Sequence, residues 1–101
     1  MKLLVITSLK EYLADISALL KQAGIDVFSV SKTVGIRTNA EANLLEDWFG
    51  SRPGEYDSVV VFSFTMEDRV RKAFELIGTY NKRQQTGFPV KAFMLPVEEA
   101  C

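Results

Sequence analysis

The chain has 101 residues, 48% of them apolar and 25% charged, a size and composition that suit one globular domain and leave no room for a second. Twelve basic residues against thirteen acidic ones give a formal charge of -1, without the cationic excess that nucleic acid or an anionic membrane surface requires. Histidine is absent, which removes Ser-His-Asp triads, Cys-His pairs and histidine-built zinc sites.

The longest apolar runs, such as Leu3 to Ile6 and Val59 to Phe62, are far short of the roughly 20 residues that span a bilayer. The first residues enter a strand pattern at once, without the layout of a secretory leader, so the expected location is the cytoplasm. Cys101 is the only cysteine and stands last, where it reads as an incidental tail residue.

Lys2 to Thr7 is a strand with apolar residues on both pleat faces, Leu3 and Val5 opposing Leu4 and Ile6. Such a strand is expected at the centre of a sheet and covered twice. Ser8 and Glu11 have capping-box spacing, and Tyr12, Leu13, Ile16, Leu19, Leu20 and Ala23 then recur with helical period until Gly24 stops the helix. Ile25 to Val34 returns to strand character.

Thr38 and Glu41 repeat the capping spacing before Leu44, Leu45, Trp48 and Phe49, which share one face of a short amphipathic helix ending at Gly50. Ser51 to Gly54 is a turn. Ser58 to Phe64 is a second strand apolar on both faces. Thr65 and Asp68 open a helix whose buried stripe is Val70, Ala73, Phe74 and Ile77, and a polar loop from Lys82 to Pro89 leads into a last strand, Val90 to Leu95, closed by Pro96.

With the short helix taken as an insertion at 37–57, the order is βαββαβ. The expected class is therefore α+β, a single ferredoxin-like domain over 1–101 with an antiparallel four-stranded sheet. Two helices cover one side of such a sheet. The other side, apolar in the first and third strands, calls for homo-oligomerisation, unless the insertion helix folds over it within one chain.

Three segments are candidates for function. The loop Lys82, Arg83, Gln84, Gln85, Thr86, Gly87 combines cations with hydrogen-bond donors suited to a small anion. A solvated helix end, with Lys82 and Arg83 complementing the helix dipole, accounts for the same residues. Gly35, Ile36, Arg37 and Thr38 join a glycine, a guanidinium and a helix cap, an arrangement open to an anion and also to an ordinary strand-to-helix turn. Trp48 and Phe49, with Leu44 and Leu45, suit either a protein-binding face or a core. Glu11 with Asp15, and Glu46 with Asp47, read as solvated carboxylates and not as an acid and base pair.

The opening Met1 to Val5, the helix end Ala23-Gly24-Ile25, the strand end Val34-Gly35-Ile36 and the closing Val90-Lys91-Ala92-Phe93-Met94-Leu95-Pro96-Val97-Glu98 together resemble the PII-like superfamily. That resemblance implies a non-enzymatic regulatory trimer with small-effector clefts between subunits. The cleft would be walled by Ser29, Gly35, Ile36, Arg37 and Thr38 of one subunit and by Lys82, Arg83, Thr86, Gly87 and Lys91 of its neighbour. It further implies that the 37–57 segment, with Leu44, Leu45, Trp48 and Phe49, engages a partner such as a membrane transporter, with cation or heavy-metal efflux as the associated process. The chain departs from the nitrogen-regulatory members. Thr86-Gly87-Phe88-Pro89-Val90-Lys91 stands where they have T-G-x-x-G-D-G-K, shorter and without the second glycine and the aspartate, and a basic extension after the last strand is absent, so only part of the family's phosphate-binding set carries over and the cofactor is left open. Alternative readings in the same fold class are a divalent-ion tolerance protein of the CutA type and a small ferredoxin-like monooxygenase.

Overall fold

The computed structural model describes residues 1–38, 54–84 and 87–101. Strand β1 (Lys2–Leu9) leads through a single 3-10 turn (Lys10–Tyr12) into helix α1 (Leu13–Gln22). Strands β2 (Ser29–Arg37) and β3 (Gly54–Thr65), helix α2 (Glu67–Gln84) and strand β4 (Lys91–Pro96) follow. The four strands form one sheet in the order β2-β3-β1-β4, antiparallel at every pairing. The protein is thus α+β, and the two strands that are apolar on both faces are the two in the middle.

One face of the sheet carries the core. Leu4 and Ile6 of β1 and Val59 and Val61 of β3 are almost wholly buried together with Ile16 and Leu20 of α1 and Val70, Ala73 and Ile77 of α2. Each such aliphatic side chain contributes about 1.5–3 kcal/mol relative to exposure. The helix stripe in α2 departs from expectation at one position: Phe74 is half-buried, whereas Tyr80 is buried.

Helix α1 begins and ends by different means. Ser8 does not cap α1, because it is still in β1, where its hydroxyl donates to the Leu9 carbonyl; the 3-10 turn intervenes and no side chain caps the helix that follows. The C-terminus forms as the glycine predicts. Gly24 has φ 82°, its N–H donates to the Lys21 carbonyl, and the Ile25 N–H donates to the Leu20 carbonyl, the paired bonds of a Schellman motif. Ile25 and Leu20 are both in the core, and Arg69 of α2 donates to the Gly24 carbonyl at 3.0 Å.

Two side chains tie loops to the frame. Ser63 donates to the Val27 carbonyl at 2.7 Å, fixing the chain ahead of β2 against β3. Asn81 of α2 both donates to the Val90 carbonyl (2.8 Å) and accepts from the Val90 N–H (2.9 Å), so its amide takes the place of a neighbouring strand at a buried residue.

The β2–β3 hairpin is longer than the sequence suggests. β2 starts at Ser29 instead of Ile25 and runs to Arg37, and β3 starts at Gly54 instead of Ser58. Arg37 pairs with Gly54, so residue 37 and residues 54–57, assigned above to an insertion, belong to the sheet. The expected short helix, with Leu44, Leu45, Trp48 and Phe49, lies outside the described residues. β1 pairs with β3 only as far as Leu9 opposite Ser58, so the hairpin continues past the end of the sheet as a two-stranded arm.

Replacing Gly24 by Ala forces a Cβ into the left-handed region while meeting only Cδ and Nε of Arg69, both at 3.8 Å. The expected loss is about 1–2 kcal/mol in urea unfolding, from backbone strain with little steric contribution. A Gly24→Ala protein with an unchanged midpoint would show that this cap is not a fixed part of the fold.

Candidate functional site

Four features could carry function: the arm, the cleft at its foot, a groove between the helices, and the sheet face away from them. The arm places Val34 opposite Asp57, Gly35 opposite Tyr56 and Ile36 opposite Glu55. Gly35 is buried there, and Gly54 takes φ 137° at the entry to β3 with the Tyr56 ring 3.6–4.0 Å from the place a Cβ would occupy. The backbone angle favours glycine at residue 54, while the Tyr56 ring stands at ordinary contact distance and would accept a Cβ.

The cleft at the foot of the arm has a volume of about 670 Å³ and is lined by Leu9, Lys10, Glu11, Glu55, Tyr56, Asp57 and Phe88. Tyr56 and Phe88 meet edge to face with centroids 4.8 Å apart, which brings the α2–β4 loop against the arm. Among the described residues three carboxylates stand here against a single ammonium, so this lining favours a cation over an anion. Among the described residues no group of His, Cys, Asp and Glu is arranged to hold a metal ion.

The predicted anion-site residues are only partly brought together. Gly35 and Ile36 lie in the arm, Arg37 ends β2, and Thr38 follows it. Lys82 and Arg83 are exposed in the last turn of α2, and Gly87 is exposed in the loop whose Phe88 reaches Tyr56, so these occupy the same end of the molecule as the arm. Thr86 lies outside the described residues. Ser29 stands at the other end of β2, six residues from Gly35 or about 20 Å along the strand, and does not join them. Lys91 begins β4 opposite Thr7, on the face away from the helices.

Arg83 also lines a groove of about 350 Å³ between the helices, with Asp15, Ala18, Leu19, Gln22, Tyr80 and Gln84. Tyr80 donates to the Asp15 carboxylate at 2.7 Å and packs edge to face on Tyr12 at 6.1 Å. Asp15 is therefore more than a solvated carboxylate: it takes the hydroxyl of a buried tyrosine. Burial, and then the bond to Asp15, push the Tyr80 phenol well above its ordinary range.

On the face away from the helices, pairing aligns Phe64, Leu3 and Leu95 in one row and Phe62, Val5 and Phe93 in the next. Phe64 is 56% exposed, Leu95 43%, and Phe62 and Phe93 37% each. The following row, Ser31, Val60, Thr7 and Lys91, turns polar. Thr7 is buried at 2% exposure, and its hydroxyl and that of Thr33 have no hydrogen-bond partner among the described residues.

The cleft residues Glu55, Tyr56, Asp57 and Phe88 were not singled out from the sequence as ligands. The signal available was the alternation Glu55-Tyr56-Asp57 ahead of the apolar run, obscured in the sequence by the turn-favouring pair Pro53 and Gly54. No protein-family model and no curated protein sequence matches this chain. Among the described residues no helix is long and apolar enough to cross a membrane.

Tyr80 sets a pH dependence. Below about pH 10 the phenol is protonated in folded and unfolded chains alike and adds nothing. Above that pH the unfolded chain releases the proton while the folded chain keeps it, so stability falls as pH rises, by up to ~1.4 kcal/mol per pH unit. Tyr80→Phe is expected to lose about 1 kcal/mol at pH 7, with the hydrogen bond, and to lack this alkaline slope in denaturation between pH 9 and 11. Thr7→Val, which removes an unpaired buried hydroxyl at nearly constant volume, is expected to raise the unfolding free energy by about 1 kcal/mol.

Proposed function

We propose that the protein is a non-enzymatic PII-like regulator, a homotrimer of ferredoxin-like subunits that takes a small anionic effector between subunits and contacts a partner such as a membrane transporter through the 37–57 region. The observation that carries the reading is the sheet face away from the helices. Two successive rows of three large apolar side chains cross β3, β1 and β4, and four of the six are more than a third exposed. An apolar surface of that extent on a small domain marks an interaction site. A second copy is the occupant favoured here, because the face is apolar, rich in aromatic rings and without charge over those rows.

The order of elements and the sheet order β2-β3-β1-β4 support the ferredoxin-like assignment. For the effector, support comes from Lys91 beside the unpaired Thr7 hydroxyl on the same face, and from Lys82 and Arg83 at the same end of the molecule as Gly35 and Arg37. The acidic lining of the cleft under the arm argues that the anion binds elsewhere than in that cleft.

Sedimentation equilibrium at micromolar concentration is expected to give a trimer for the natural protein and a monomer for Phe62→Lys/Phe64→Lys. A natural protein that sediments as a monomer removes the reading. Thermal shift against a nucleotide panel tests the effector separately, with a rise in Tm expected for at least one anionic ligand and its loss in Lys91→Ala.

A further inference from the structure

The arm has a surface that self-association through the sheet face does not use. Pairing puts Val34 beside Asp57 and Ile36 beside Glu55 across the hairpin, so one side of the ribbon carries two aliphatic and two acidic side chains. Val34 and Ile36 are 57% and 58% exposed, and Glu55 and Asp57 are exposed with them. The strand that would flank this part of β3 stops opposite Ser58, so among the described residues no third strand pairs with it. Val34 and Ile36 thus present aliphatic surface to solvent beside two carboxylates.

Glu55 and Asp57 also line the cleft at the foot of the arm, joined there by Glu11 from the 3-10 turn and by the Tyr56 and Phe88 rings. The aliphatic stripe and the cleft are thus continuous through shared carboxylates. Their charge is of one sign apart from Lys10, and opposite in sign to the exposed end of α2 with Lys82 and Arg83.

We propose that this surface docks a basic amphipathic segment of a protein partner, its apolar side chains on Val34 and Ile36 and its Lys or Arg side chains in the cleft among Glu11, Glu55 and Asp57. The charge decides the class of occupant. Anionic lipid and nucleic-acid phosphate are repelled by these carboxylates, whereas a lysine or arginine gains from them and from the two aromatic rings. The requirement for apolar contacts beside the cations excludes a purely polyelectrolyte partner. A basic segment at the cytoplasmic end of a membrane helix has this composition. The inference rests on the regulatory reading above for the existence of a partner, and adds its chemistry and the place where it sits.

The test uses the full chain and two fluorescein-labelled 14-residue peptides, one alternating Leu with Lys and Arg at helical spacing, the other with Glu at every basic position, followed by fluorescence anisotropy. The basic peptide is expected to bind and the acidic one not. Affinity is expected to weaken by about tenfold in Glu55→Gln/Asp57→Asn, through loss of two screened ion pairs, and to fall with rising salt. Val34→Ser/Ile36→Ser is expected to weaken it to a similar degree without changing the salt dependence. All four substitutions are at exposed positions, and circular dichroism confirms folding. Equal binding of both peptides, no binding of the basic one, an unchanged affinity in either double variant, or preference for phosphatidylserine vesicles over the basic peptide would overturn the proposal. Sedimentation of the same proteins separates the two ideas: peptide binding absent from an intact trimer counts against the docking surface alone, whereas a monomeric natural protein counts against the regulatory reading.

Discussion

The pairing of β1 with β3 down the middle of the sheet is the interaction on which the other features depend. Both strands alternate apolar residues on two faces, and two helices supply one covering layer. Leu4, Ile6, Val59 and Val61 meet that layer and disappear from solvent, while Leu3, Val5, Phe62 and Phe64, one residue out of phase, face the other way. Since the side-chain period of a strand is two, a shift of register by one residue would exchange these sets. The core and the apolar outer face are therefore two consequences of one register.

The second constraint is that β3 is longer than the strand it shares with the core. Twelve residues in β3 meet eight in β1, and the surplus pairs only with β2. A ribbon of two strands has little to pack against, so its stability comes from its own cross-strand pairs and from the contact of Tyr56 with Phe88. That contact, with Asn81 holding Val90, links the arm to α2 through the start of β4. The arm and α2 are thus joined by a short chain of contacts.

Local signals were legible where the chain itself supplies both partners. Gly24 and the Leu20–Ile25 pair end α1 through bonds within six residues, and the buried stripe of α2 follows from helical spacing at Val70, Ala73 and Ile77. The capping box at Ser8 and Glu11 misled because the same serine lies in β1, where pairing with Val59 holds its backbone. Local propensity lost to the sheet. Tyr80 was similarly hidden: its hydroxyl finds its acceptor in Asp15, sixty-five residues away in sequence.

Composition and period determined the class of the fold, the two central strands and the apolar character of both their faces, because each follows from neighbours along the chain. Ser29 and Gly35 looked like parts of one site only while their separation along an extended strand was left out of account. The tertiary structure alone decided that Glu11, Glu55 and Asp57 share a cleft with Tyr56 and Phe88, that the hairpin outruns the sheet, and that Val34 and Ile36 are carried on it. Those facts depend on strand register and on where α2 ends, and register is fixed by side chains meeting across the sheet, which no stretch of sequence contains by itself.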